Sequence, residues 1–164
     1  MVADAAGIAR VQLAGWEWAY RGIMTDEVLD ALDPDDRRAR WHDILADDGN
    51  TVVAVPVGDG VIAGFASIGP CRDRDRMGAG EVYALYVDPA RAGRGIGAAL
   101  LGAAVETLRR DGYERLVLWV LAANRRARRF YQAQGWQPDG CQKPSPWGPP
   151  EVRYELAAAP PSPP

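Results

Sequence analysis

Several residue types that mark particular protein classes are scarce in this chain of 164 residues. It contains two cysteines and one histidine, too few for a disulfide framework or a multi-cysteine zinc cage, so we expect no metal. No apolar run approaches the roughly 20 residues of a membrane span. The net charge of −3 argues against nucleic acid as a partner. Residues 1–10 lack the pattern of a signal peptide, so a cytoplasmic protein without a membrane partner is expected.

The composition that remains is that of an ordinary globular protein. Hydrophobic residues make up 48% and charged residues 25% of the chain, which is enough for a sizeable core. The length suits one domain, which we predict over residues 1–157. The final segment, 158–164, is rich in proline and is predicted to be a disordered tail.

Apolar spacing and turn residues predict a mixed α/β sheet. Helices are expected at about 4–22, 26–32, 34–48, 94–111 and 124–134. Strands are expected at 51–57 and 61–68, which form a hairpin, and at 81–87, 115–121 and 151–156. The strand, long helix and strand of residues 81–121 should form a right-handed parallel crossover.

Three alternating glycines follow the strand 81–87, at Gly93, Gly95 and Gly97. A helix start has unpaired N–H donors and a positive dipole end, and glycines let an anion approach closely. This predicts a phosphate site, to which Arg91 and Arg94 add charge. Leu100 occupies the third small position of the dinucleotide fingerprint, and the P-loop ending is absent, so neither common nucleotide motif matches. A tight turn that serves packing alone is the alternative.

Two segments resemble motifs of the GCN5-related N-acetyltransferase (GNAT) family. The family signature Gln/Arg-x-x-Gly-x-Gly/Ala is similar to residues 92–97, although Ala92 replaces the usual Gln or Arg. Residues 124–136 resemble the family's final core helix, with Asn124 at its start and a Phe-Tyr pair before a Gly-aromatic pair. The resemblance is tight over residues 50–140. Only three residues precede Asp4, so the family's first strand is expected to be truncated or absent.

The resemblance implies both a fold and an activity. The fold would be a mixed, mostly antiparallel central sheet with flanking helices and a parallel crossover at an acetyl-CoA site. The activity would be transfer of an acetyl group from acetyl-CoA to a primary amine of a small molecule, by direct attack on the thioester. Protein N-terminal or lysine acetylation and a non-catalytic acyl-CoA-binding module are the alternatives. A homodimer is left open.

The resemblance also implies which residues hold acetyl-CoA. Strand backbone would pair with the pantetheine amides, like an added strand, and the glycine turn would hold the pyrophosphate. Asn124 would contact the cofactor, although a plain helix N-cap explains it equally well. The full set is Leu85, Tyr86, Val87, Ala92, Gly93, Arg94, Gly95, Ile96, Gly97 and Asn124.

Catalysis by direct attack requires a proton acceptor for the amine and a proton donor for the thiolate. Tyr131 is the predicted donor, with an aromatic core residue as the alternative. Glu81 is the predicted base, because strand alternation would put it on the same face as Tyr83 and Leu85. A solvated strand-end glutamate is the alternative for Glu81, and His42 is the rival base.

The resemblance implies an acceptor site built largely from the first two helices and nearby loops. Trp16, Trp18 and Tyr20 cannot share one helix face, so some of them should line a groove or the surface. Trp16, Tyr20, Arg21 and Tyr83 are the predicted substrate contacts, although core packing is the commoner fate of a tryptophan. The pattern leaves the identity of the acceptor open.

Overall fold

The computed structural model describes residues 1–47, 51–54 and 60–157. The predicted tail 158–164 and residues 55–59 of the predicted hairpin lie outside the described residues. The helices are α1 Ala5–Tyr20, α2 Asp26–Asp30, α3 Pro34–Ala46, α4 Ile96–Arg110 and α5 Arg125–Ala133. The strands are β1 Thr51–Ala54, β2 Gly64–Pro70, β3 Gly80–Val87, β4 Leu116–Leu121, β5 Gln137–Ser145 and β6 Gly148–Leu156.

All of these strands belong to one sheet with the order β1-β2-β3-β4-β6-β5. Every neighbouring pair is antiparallel except β3 and β4, which are parallel and are joined through α4. The predicted mixed, mostly antiparallel sheet with one parallel crossover is therefore confirmed. None of the helices in the described part of the chain is long and apolar enough to cross a membrane.

Apolar clusters cover both faces of the sheet. On one face, Leu101 and Leu108 of α4 and Tyr131 of α5 pack with buried strand residues such as Leu118. On the other face, Ile8 and other residues of α1 pack against α3 and β2. A third cluster joins Trp16 of α1, Met24 and Leu29 to Leu121 of β4.

The parallel pair β3–β4 is short. It joins Gly80 to Leu116, Glu81 to Val117 and Val82 to Leu118, and extends no further. At the same place the register between β2 and β3 shifts by one residue. Ser67 pairs with Ala84, but the next residue, Ile68, pairs with Val82, so Tyr83 has no partner on β2 and forms a bulge. A bulge bends its strand and increases its twist. We call the gap that opens between the C-terminal halves of β3 and β4 the split.

Two parts of the fold bear on the sequence predictions. Strand β5 was missed, because Pro138, Gly140 and Pro144 interrupt any alternation, and such residues are tolerated at the sheet edge where β5 lies. Before α1, residues Val2–Asp4 form a 3₁₀ turn. Residues 1–4 therefore contain no strand.

A buried arginine ties the far side of the sheet together. Arg153 of β6 is only 2% exposed. Its guanidinium donates to Asp139 at 2.6 Å, to Asp73 at 3.0 Å and to Asp75 at 2.7 Å. Trp119 Nε1 also donates to Asp73, at 2.9 Å. One side chain thus connects β6, β5 and the loop before β3.

Replacing this arginine should destabilise the fold. Arg153→Met leaves three carboxylates close together without their shared cation, so we expect a loss of about 3–5 kcal/mol in the free energy of unfolding, measured by urea denaturation. The control is Arg115→Ala, because Arg115 is exposed and lies 3.7 Å from Glu155; it should cost no more than about 1 kcal/mol. Equal urea midpoints for the two variants would contradict a structural role for Arg153.

The same network predicts a loss of stability in acid. The hydrogen bond from Arg153 lowers the pKa of Asp75 to about 2. The folded state therefore keeps this carboxylate charged where the unfolded chain takes up a proton, and the resulting stability is present above about pH 4 and lost as the pH falls towards 2. We expect the urea midpoint of the wild type to fall more steeply between pH 5 and 2 than that of Asp75→Asn, and parallel curves would contradict this.

Candidate active site

A cavity of about 880 Å³ occupies the split. Its lining comes from α1, β3, the glycine turn, β4, α5 and the β5–β6 turn. The two faces of β4 contribute differently, because Val120 packs with Tyr131 of α5 whereas Leu121 packs with Trp16 of α1. Residues packed on both faces of the sheet therefore line the cavity.

The glycine turn forms one end of the cavity. Gly93 and Gly95 have φ angles of +78° and +80°, which favour glycine, and an added Cβ at either would meet no atom within 4 Å. Helix α4 begins after Gly95 with no side-chain cap, so its first N–H groups can bind an anion. Arg91, Arg125 and Arg126 also line the cavity. This end of the cavity, which we call the anion end, suits a phosphate group.

Most of the predicted cofactor residues line this cavity. They are Leu85, Tyr86, Val87, Ala92, Gly93, Gly95, Ile96, Gly97 and Asn124. Arg94 is not among the lining residues. The side chain of Asn124 accepts a hydrogen bond from the Ala127 N–H at 3.0 Å, so it caps α5 while the residue also borders the cavity.

Tyr131 lies inside the cavity on the α5 side. It is 8% exposed and its ring packs edge-on against Phe130, at 5.3 Å between centroids. Its hydroxyl has no hydrogen-bond partner within the described part of the chain. Burial raises the pKa of Tyr131 above its ordinary value, and the neighbouring Tyr20 adds to the effect. The phenol therefore stays protonated and can donate a hydrogen bond to a ligand.

The structure does not bring Glu81 into the cavity lining. Its side chain is buried and is held by Arg72, whose backbone N–H donates at 3.0 Å and whose guanidinium donates at 2.5 Å. The predicted face shared with Leu85 is also wrong, although Glu81 and Tyr83 both contact the Arg72 guanidinium. Val82 and Leu85 pack on the same side because Tyr83 is bulged, so Glu81 and Leu85 face opposite ways.

Two other predicted residues, Arg21 and His42, lie outside the cavity lining. A third, Tyr83, lines the cavity but has its hydroxyl bound to the protein backbone. Arg21 is exposed, forms ion pairs with Glu17 and Asp26 and lies outside the cavity lining, so its role as a substrate contact stays a prediction. His42 is exposed on α3, 3.5 Å from Asp43. Tyr83 does line the cavity, but its hydroxyl donates to the Pro70 carbonyl at 2.5 Å.

Aromatic side chains form the opposite end of the cavity, on the α1 side. The hydroxyls of Tyr20 and Tyr86 lie 3.0 Å apart. Trp16 packs edge-on against Tyr20 at 5.5 Å and against Trp147 at 5.0 Å. Trp18, by contrast, is 46% exposed and lies under the guanidinium of Arg126.

Two residues of this end, Trp147 and Glu151, were missed by sequence reasoning. Trp147 lies in the turn between β5 and β6, and Glu151 pairs with Leu121 at the end of β4. The glycine and prolines beside Trp147 signal a turn, but only the pairing of β6 with β4 brings that turn back to α1.

Comparison with known proteins agrees with this arrangement. A sequence model of the acetyltransferase (GNAT) family matches residues 12–136. The uncharacterized N-acetyltransferase YuaI of Bacillus subtilis (strain 168) is 31% identical over 130 residues, which cover 79% of this chain and 73% of YuaI. The L-methionine sulfoximine/L-methionine sulfone acetyltransferase of Salmonella typhimurium (strain LT2) is 29% identical over 114 residues, covering 70% of this chain and 64% of that protein.

Among solved structures, PaiA N-acetyltransferase from Thermoplasma acidophilum, in complex with coenzyme A, superposes with a TM-score of 0.73. The match covers 96% of this chain and 94% of PaiA at 18% identity, which supports the fold. The family match spans most of the chain, and the predicted signature glycines form the observed turn at the start of α4. The chain therefore belongs to the acetyltransferase (GNAT) family of N-acetyltransferases.

Proposed function

We propose that this enzyme transfers the acetyl group of acetyl-CoA to a primary amine of a small molecule. The observation that carries the proposal is a single cavity that joins the uncapped glycine turn of α4 to the unpartnered hydroxyl of Tyr131. The anion site would hold the phosphates of such a thioester, and the neutral hydroxyl would protonate its leaving thiolate.

The anion end fits the pyrophosphate of coenzyme A. The first N–H groups of α4 and the cations Arg91, Arg125 and Arg126 would bind it. The β3 backbone at Leu85 and Val87 borders the split beyond the last pairing with β4 at Val82, which leaves it accessible to pantetheine amides. Coenzyme A bound to the structurally similar PaiA supports the same ligand here.

Acetyl-CoA supplies the acetyl group already activated as a thioester. The amine nitrogen forms the new C–N bond at the acetyl carbonyl carbon, and the C–S bond breaks to release the thiolate. Tyr131 donates its hydroxyl hydrogen towards the sulfur, where negative charge develops. The proton lost by the amine needs an acceptor, and Glu81, the acceptor expected from sequence, is bound by Arg72 outside the cavity lining.

The shape of the aromatic end favours a small acceptor over a protein. Trp147 contacts Trp16 across this end at a centroid distance of 5.0 Å, and this contact narrows access from the α1 side. A peptide acceptor needs an open groove on that side. The acetyltransferase relative from Salmonella typhimurium, named for amino-acid analogues, supports small-molecule chemistry in this family.

The anion end can be tested with an isosteric pair of variants. Asn and Asp both tolerate the positive φ of Gly95, so Gly95→Asn and Gly95→Asp differ chiefly in charge. We expect the Asp variant to bind acetyl-CoA about tenfold to a hundredfold more weakly than the Asn variant, because its carboxylate faces the pyrophosphate. Binding is measured by calorimetry. Equal affinities in the two variants would contradict the assignment of the glycine turn as the pyrophosphate site.

Tyr131→Phe tests the proton donor. The change keeps the ring and deletes the hydroxyl, so acetyl-CoA binding should be preserved while kcat falls roughly 10²–10⁴-fold. The measurement is release of free CoA in the presence of an amine. Tyr113→Phe is the control, because Tyr113 packs against the same apolar cluster outside the cavity lining and should keep wild-type kcat. Wild-type turnover in Tyr131→Phe would make Tyr131 a packing residue.

A further inference from the structure

We propose that the acceptor is a small cationic amine with an apolar body and no carboxylate, and that Glu151 binds its ammonium and takes up its proton. The residues concerned are Trp16, Tyr20, Leu121, Trp147 and Glu151, which we call the acceptor recess. This inference rests on the proposed acetyl transfer. It assigns acceptor binding to the aromatic end of the cavity that also contains the anion end.

Strand register places Glu151 in the recess. It pairs with Leu121 across the antiparallel β4–β6 ladder, so the two side chains share a face of the sheet. Leu121 packs with Trp16, and Trp147 packs against the same cluster. Glu151 therefore lies on the α1 side of the split, across the sheet from the face on which Tyr131 packs with α4.

Glu151 is the one acidic residue among the described residues that line the cavity. No group in the described part of the chain donates a hydrogen bond to its carboxylate. Lys143 Nζ forms an ion pair with Oε2 at 3.7 Å, beyond hydrogen-bond distance, and lies over the Trp119 ring. Tyr20 on α1, Lys143 on β5 and Arg153 on β6 are the titratable or charged neighbours. Both carboxylate oxygens can therefore accept hydrogen bonds from a ligand.

The aromatic walls suit the rest of such a substrate. Trp16 is perpendicular both to Tyr20 and to Trp147, with interplanar angles of 82° for each pair. Aromatic faces attract a cation electrostatically and bury apolar surface. A substrate whose ammonium binds Glu151 and whose hydrocarbon part packs against these rings would match both the charge and the apolar surface of the recess.

The distribution of charge disfavours an acceptor that carries a carboxylate. Arg91, Arg125 and Arg126, the arginines of the lining, come from the loop before α4 and the start of α5, at the anion end. The recess itself contributes Glu151 and no cation from the described lining residues. Lys143 is the cation beside Glu151 and is already paired with it. A substrate carboxylate next to the ammonium would therefore meet the negative charge of Glu151 and compete with it for Lys143.

The proton transfer balances with the acetyl transfer. The ammonium gives one proton to the Glu151 carboxylate, and the freed lone pair forms the C–N bond at the thioester carbonyl. The C–S bond breaks, its electron pair leaves with sulfur, and the thiolate takes the Tyr131 hydroxyl proton. The nitrogen loses its second proton as the amide forms, and that proton restores the Tyr131 hydroxyl through solvent, so the products are a neutral amide and a thiol. Glu151 then returns its proton to solvent after the amide product departs.

Three related amines test the substrate class by CoA release with the wild-type enzyme. They are phenethylamine, phenylalaninol, which adds a neutral hydroxymethyl group, and phenylalanine, which adds a carboxylate at the same carbon. We expect kcat/KM for phenethylamine and phenylalaninol to exceed that for phenylalanine at least tenfold. Phenylalanine as the best of the three, or turnover of none of them, would overturn the proposal.

Glu151→Gln tests the carboxylate. With phenethylamine at pH 7, kcat/KM should fall about 10²-fold, and the deficit should shrink as the pH approaches the amine pKa near 10, where neutral amine is already present. Glu155→Gln is the matched control: Glu155 lies on the same strand and face, its side chain is also 23% exposed, and it is outside the cavity lining. It should keep the wild-type rate and pH profile.

The outcomes separate this inference from the proposed function. Wild-type kcat/KM and pH profile in Glu151→Gln, or the predicted pH-dependent loss in Glu81→Gln instead, would overturn the role of Glu151. Acetyl-CoA should raise the melting temperature of the wild type and Glu151→Gln equally. Absence of that shift in the wild type would overturn acetyl transfer itself, and the acceptor assignment with it.

Discussion

The early end of the β3–β4 pairing is the constraint on which the site depends. Only three residue pairs join these parallel strands, and the Tyr83 bulge in β3 lies directly beyond the last of them. A continuous sheet would keep its two faces apart and use the edges of both strands in its own hydrogen bonds. The split instead leaves strand backbone open to a ligand and lets residues packed on opposite faces line one cavity.

The parallel crossover then fixes where the anion end must lie. A chain that leaves β3 and returns in parallel through β4 must begin its helix at the C-terminal end of β3, which is the end at which the strands have separated. The uncapped start of α4 and the open split are therefore neighbours by topology. Gly93 and Gly95 supply the positive-φ backbone that keeps the space above this turn free of side chains.

Sequence reasoning succeeded where the signal was local and failed where it depended on pairing between distant segments. The glycine turn and α5 with its capping Asn124 are contiguous patterns, and the structure forms them where they were predicted. The prediction that Glu81 and Leu85 share a face was wrong, because one bulged residue, Tyr83, reverses the alternation of side chains that follows it. Trp147 and Glu151 could not be placed, because their position depends on β6 pairing with β4 after the missed strand β5.

The buried arginine network connects the stability of the fold to the geometry of the acceptor recess. Arg153 pairs with Trp119 across β4–β6, one alternation before the Leu121–Glu151 pair. Its bonds to Asp73, Asp75 and Asp139 anchor β6 to the loop before β3 and to β5, while Trp147 closes the same hairpin against α1. A buried guanidinium with three carboxylate partners has few alternative arrangements, so it fixes the register of β6. That register determines which β6 side chains share a face with Leu121, and hence that Glu151 and Tyr131 lie on opposite faces of the sheet.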